Sequence, residues 1–300
     1  MTTITAGRIT RSVAFPVGIA ILAMISIQIG ASIAKSMIPI TGAPGATALR
    51  LMFAAAILLA VVRPWRRGIG WADWRRTLPY GLVLGSMNLL FYMSLQTLPI
   101  GIAVAIEFTG PLAVAVFGSR RALDFLWVAL AALGLVALLP LGGVTAGVDP
   151  VGAGFALAAG VCWALYIVFG QKAGREDGVL TVTLGTVIAA ALVAPIGIVA
   201  GGATLLTPAV IPMALGVAIL STALPYILEM KAMTRLPARV FGTLMSVEPA
   251  IGALAGLLLL GETLSLVQWA AIAAIIAASL GSTLSIGRAG ADLAAKPVCD

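Results

Sequence analysis

The chain has 300 residues, 61% of them hydrophobic and only 10% charged, with a net charge of +7 and no histidine. A soluble domain carries about 25% charged residues, so lipid rather than water is the solvent that suits this composition. The missing histidine excludes a histidine proton relay, a His-ligated metal and a Ser-His-Asp triad, and the basic residues sit in short intervals beside apolar stretches, which favours loops retained in the cytoplasm over nucleic-acid binding.

The N-terminal segment MTTITAGRITRSVAF runs straight into an apolar stretch without a small-residue cleavage site, so a retained first helix is expected rather than a signal peptide. A spanning helix needs roughly 20 mostly apolar residues. On that criterion spans are predicted over 13–34, 43–62, 77–97, 100–118, 124–142, 151–171, 180–200, 208–229, 239–259 and 265–286. The short connections predict antiparallel sequential helices packed as near neighbours. RRGIGWADWRR, residues 66–76, pairs arginines with Trp71 and Trp74 and reads as an anchor at the membrane interface. The tail after Arg288 has no apolar span and reads as a disordered end.

With the N-terminus placed in the cytoplasm, all but two of the 18 basic residues fall in inside segments, the exceptions being Lys35 and Arg50. That alternation predicts an all-α membrane protein of ten spans with both termini cytoplasmic. Sliding the chain against itself brings out a repeat. At an offset of 138, Leu98-Pro99 meets Leu236-Pro237, Pro111 meets Pro249, Gly118 meets Gly256, Asp124 meets Glu262 and Asn88 meets Tyr226; at 137, Lys35 meets Lys172. The expected organisation is a cytoplasmic N-terminus (1–12), a first five-helix repeat (13–142), a second (143–287) and a cytoplasmic tail (288–300). Five is odd, so the second copy inserts upside down relative to the first, an arrangement that offers two related states, one open to each side.

Ionisable groups inside a bilayer are costly and need a reason, by about 2.5–3.5 kcal/mol for a charge at the centre on insertion scales. Glu107, in IAVAIEFTGP, is flanked by apolar residues on both sides. Burial disfavours the charged form of a carboxylate, so Glu107 is the candidate proton-coupling group; a structural hydrogen bond to a neighbouring helix is the plainer reading. Glu248, in SVEPAIG, lies mid-span before Pro249, and either couples protons or bonds a carbonyl freed by that proline. Arg50, in ATALRLMF, has three readings: a pair with Glu107, a bidentate grip on a substrate carboxylate, or snorkelling to the interface. Lys35 reads as an ordinary end-of-helix lysine and Glu229 as a local partner of Lys231. Gln28, Asn88, Tyr92, Trp163, Tyr166 and Tyr226 are candidates to line a pocket between helices, or else simply hydrogen-bond neighbouring helices. Pro79, Pro111, Pro195, Pro225 and Pro249 are placed to kink helices. No GxxxxGK[ST], HExxH or GxSxG motif occurs, and the two cysteines, Cys162 and Cys299, have no metal spacing, so no cofactor, metal or catalytic residue is expected.

The stretches SIQIGASIAKS, GAPGATALRL, LPIGIAVAIEFTGPLAVAVF, ILSTALPYILEM, RLPARVFGTLMSVEPA and LGETL resemble the EamA family of the drug/metabolite transporter superfamily, over roughly residues 15–285. The resemblance implies a ten-helix inverted-repeat fold and, through a subgroup that handles amino acids such as threonine and homoserine, proton-driven export across a bacterial inner membrane. The implied partners are a small amino-acid substrate, protons and the lipid bilayer. In the mechanism expected from the residues, the substrate carboxylate sits near Arg50, its ammonium near Glu107, and external protonation of Glu107 releases it. A broad drug or metabolite exporter, a membrane-embedded enzyme and a non-transporting membrane protein are the alternatives at this level.

Overall fold

A computed structural model of the chain describes residues 6–117, 122–138, 148–233, 245, 247–278 and 280. Among the described residues all regular structure is helical. The basic residues of 234–239 and the tail beyond 280 lie outside them, as do Leu236-Pro237, Gly118 and the side chains of Asp124 and Lys231.

Helix α1 (Ala6–Val62) is one run bent at Gly42, whose φ of 71° and ψ of 161° only glycine adopts without strain. The turn expected between the first two spans is thus a single residue, and both arms stay helical up to it. Four described runs are long and apolar enough to cross a bilayer: Val17–Arg66, Pro150–Ala173, Gly178–Leu206 and Val210–Glu229. Helix α2 (Trp71–Ser94) begins six residues before its predicted start, because Asp73 accepts from the Gly70 amide at 3.0 Å and supplies an acid to the first turn. The predicted fourth span is two pieces, α3 (Ile100–Glu107) and α4 (Thr109–Phe117). Pro111 has no N–H for the carbonyl of Glu107, and the ladder breaks there. Next come α5 (Ala122–Leu138), α6 (Pro150–Ala173) and α7 (Gly178–Gly201), the latter two N-capped by Asp149 and Asp177.

Helix α8 (Val210–Ala218) passes through a π-turn, Ile219–Ala223, into α9 (Leu224–Met233). Pro225 cannot donate to Ser221, so the turn widens by one residue rather than leaving a clash. Helix α10 (Glu248–Leu260) has Pro249 in its first turn, and α11 (Leu266–Ala278) follows. Glu248 opens this helix after a turn at Val247, and Met245 just before it is helical; the first part of the predicted span 239–259 lies outside the described residues.

The packing departs from the sequential-neighbour expectation. Helix α1 packs chiefly along α7, α2 along α6 and α7, and α3 against α10 and α6. Short loops bring helix ends together but do not choose which faces meet. One large core joins Met37, Ala43, Leu98, Ile100, Ala153 and Val210, residues from both parts of the chain. Large apolar side chains such as Leu133, Val199, Leu258 and Leu266 remain exposed on the outside of the bundle, as a lipid-facing belt requires.

Candidate functional site

Arg50 lies in the second arm of α1 between Leu49 and Leu51 and is 4% exposed. Its Nε donates to Thr222 Oγ1 at 2.9 Å and its Nη1 to the Tyr92 hydroxyl at 2.7 Å, while Nη2 donates to Asn88 Oδ1. Asn88 and Tyr92 are four residues apart on α2 and so share one face. The Asn88 amide donates in turn to Leu84 O at 2.8 Å, which turns its oxygen toward Arg50. Thr222 comes from the π-turn, whose extra residue changes the direction in which the side chains of that strip project. The guanidinium also stands 4.9 Å from the Tyr92 ring centroid. Burial and three side-chain partners overturn the snorkelling reading. The pairing with Glu107 is not found either: among the described residues the ion pairs are Lys35–Glu262, Arg76–Asp73 and Arg76–Glu176. Arg50 is held by neutral groups, with the Tyr226 hydroxyl also beside it.

Arg50 belongs to a cavity of about 650 Å³, open space at its mouth included, lined by Arg50, Gln28, Asn88, Trp163, Tyr166 and Tyr226 together with Glu107, Glu229 and Glu248. Nearly all the sequence candidates thus meet in one place. Tyr92 is the exception: it is fully buried behind Arg50 as its ligand and does not line the cavity. Its position four residues from Asn88 gives it the right face but too great a depth.

Glu107 closes α3 at the break before α4 and is 6% exposed. Phe108, at the break, packs edge-on against Trp163 with centroids 5.7 Å apart, fixing one wall. A Cβ on Gly110 would collide with the backbone of Gly160, and one on Gly160 with the Glu107 carbonyl. Across the cavity, Gln28 Nε2 donates to Glu248 Oε1 at 3.4 Å. Tyr166 and Tyr80 bring their hydroxyls to 3.3 Å.

Glu229 lines the same cavity, while the side chain of its expected partner Lys231 lies outside the described residues. The signal was present in its spacing, three residues from Tyr226 and hence on the same helical face. Lys35 differs from expectation. It is paired with Glu262 at 2.6 Å and donates to the Leu98 carbonyl, while the other Glu262 oxygen accepts from the Ile100 amide at 2.9 Å and caps α3. Glu262 is placed by Gly261, whose left-handed φ of 66° turns the chain so that the Glu262 amide returns to Gly256 O at 3.0 Å. A three-segment clasp thus closes one end of the bundle.

A family model described as the EamA-like transporter family matches residues 150–284. The threonine/homoserine exporter RhtA of Salmonella typhimurium (strain LT2) is 57% identical over 273 residues, which cover 91% of this chain and 92% of that protein. RhtA of Escherichia coli (strain K12) is 57% identical over 271 residues, covering 90% and 92%. A solved crystal structure shares the fold with a TM-score of 0.62 at 20% identity, covering 92% of this chain and 98% of that one.

Proposed function

The chain belongs to the EamA-like transporter family, and from that premise we propose that it is a secondary active exporter of small neutral amino acids of the threonine and homoserine kind, working as a proton antiporter in a bacterial inner membrane. The observation that carries this reading is Arg50, a buried cation with no carboxylate bound to it, facing a cavity that also holds three acids. A guanidinium whose charge no carboxylate cancels suits a substrate carboxylate, and an acidic wall suits the ammonium of the same zwitterion. In water such a cluster would be screened; among apolar walls the complementarity is much stronger.

The transport cycle we propose uses ten spans arranged as two inverted five-helix repeats, residues 13–142 and 143–287, with both termini in the cytoplasm. The cross-packing of α1 with α7 and of α2 with α6 supports it, since each pairing joins an element of one repeat to one of the other. The zwitterion binds from the cytoplasm with its carboxylate at the Arg50 guanidinium. Rocking of the repeats opens the cavity to the other side, where a proton reaches Glu107. Protonation lowers the negative charge of the wall, the ammonium loses part of its attraction, and the substrate leaves. Return of the carrier delivers the proton inward.

The test is labelled threonine and homoserine flux in liposomes holding the full chain under an imposed proton gradient. The unaltered protein is expected to transport both with the gradient, and Glu107→Gln to lose gradient dependence. Full proton-coupled transport by Glu107→Gln would remove Glu107 from the mechanism.

A further inference from the structure

Two oxygen atoms on residues that line the cavity have no partner. Gln28 Oε1 and Glu248 Oε2 are fully shielded from solvent and accept no hydrogen bond, on side chains that are 2% and 6% exposed. Their other polar atoms are joined to each other by the 3.4 Å bond from Gln28 Nε2 to Glu248 Oε1, so the two side chains are held together while one acceptor of each is idle. Idle buried acceptors are uncommon because each forfeits its hydration without a bond in return. Both residues line the same cavity as Arg50.

The local backbone makes room for this pair. Glu248 begins α10, and Gly252, one turn on, lies on the same face. A Cβ at 252 would stand 3.3 Å from Gln28 Oε1 and 3.3 Å from Val104 Cγ2, so glycine there lets α10 approach Gln28 without crowding the idle acceptor.

We propose that Gln28 Oε1 and Glu248 Oε2 form the subsite that binds the substrate's ammonium group, one acceptor from each repeat. The assignment rests on the reading of the chain as an amino-acid exporter and deepens it. An ammonium brings three donors and a positive charge, which answers both an amide oxygen and a carboxylate oxygen. A bare metal ion fits less well, since a hard cation takes about six oxygen ligands and only two acceptors are idle here. Glu107 then has a task separate from holding the ammonium: it carries the proton whose charge the bound ammonium feels. Because Gln28 lies on α1 and Glu248 on α10, a bound ammonium also links the two repeats, and its departure frees them to move independently.

The experiment compares threonine with 3-hydroxybutanoate, the same skeleton without the amino group, as ligands that raise the melting temperature of the purified full chain. This reads binding even in variants that do not transport. The unaltered protein should bind threonine far more tightly than 3-hydroxybutanoate. In Glu248→Gln and in Gln28→Leu the threonine midpoint should rise at least about tenfold while that for 3-hydroxybutanoate stays put, so that discrimination collapses. Unchanged threonine midpoints in both variants would overturn the assignment, and would mean that water satisfies the two oxygens. Equal weakening of both ligands would overturn it as well, because it marks a general loss of cavity shape. If Glu248→Gln does not fold, Gln28→Leu carries the same comparison. Failure of the unaltered protein to bind threonine would overturn the amino-acid reading itself, a result distinct from the variant outcomes.

Discussion

Arg50 is costly to bury, and its three neutral partners hold it without cancelling its charge. Lysine keeps the charge but cannot reproduce the planar fork that reaches Thr222, Tyr92 and Asn88 together. Arg50→Lys is therefore expected to lower threonine flux by about 10- to 100-fold, the range that corresponds to one hydrogen bond involving a charged group, and liposome flux measures it. A second residue-scale prediction concerns pH. The Gly152 amide, and after it the Thr97 hydroxyl, hold the Asp149 carboxyl below the usual carboxylate range. A depressed value means that the contribution of Asp149 to stability is present above the unfolded pKa, about 3.9, and is lost as pH falls through the lower folded value. Melting temperature recorded down an acid series should fall less steeply in Asp149→Asn, which keeps a capping side chain but cannot titrate.

At the scale of elements, the cavity exists because helices are interrupted where polar groups are needed. The break at Phe108 sets the end of α3 at Glu107, the π-turn delivers Thr222, and the start of α10 presents Glu248. Each break coincides with a proline one to three residues farther on, Pro111, Pro225 or Pro249. The wall formed by α4 and α6 depends on close approach of Gly110 and Gly160. Since the obstacle is backbone, which cannot swing aside, Gly110→Ala should destabilise the purified protein by about 1–3 kcal/mol, seen as a lower melting temperature. The clasp of Lys35, Glu262 and the start of α3 ties three elements across the two repeats. Its ion pair is partly exposed, so Lys35→Met is expected to cost only about 1 kcal/mol. The exchanged pair Lys35→Glu with Glu262→Lys should recover less than full stability, because a lysine at 262 cannot accept from the Ile100 amide.

At the scale of the whole molecule, the proposed inverted arrangement makes a prediction about orientation. Fusions at either terminus should behave alike: a fluorescent protein should fold and fluoresce at both ends, and alkaline phosphatase should be inactive at both. Activity at one end alone would rule out the even number of spans on which the inverted repeat depends. Alternating access in such a fold is largely a rocking of one repeat on the other, and the cross-repeat packing here, with few contacts between sequential helices, provides the surface on which that rocking would occur.

The sequence by itself determined the solvent of the protein, the apolar intervals that become helices and the small set of polar residues inside them. Hydropathy and charge placement are properties of single residues and short windows, and lipid acts on them one segment at a time. Glu107, Glu248, Arg50, Gln28, Asn88 and Tyr226 were legible because each stands out against an apolar background. The tertiary structure alone decided which of them meet. Arg50 bonds Asn88, Tyr92 and Thr222 rather than Glu107; Glu229 joins the cavity; Lys35 clasps Glu262, 227 positions away. Those pairings depend on how each helix is rotated and raised against partners distant in the chain. A helix that is apolar on nearly every face carries little record of its rotation, because lipid and protein interior accept the same side chains.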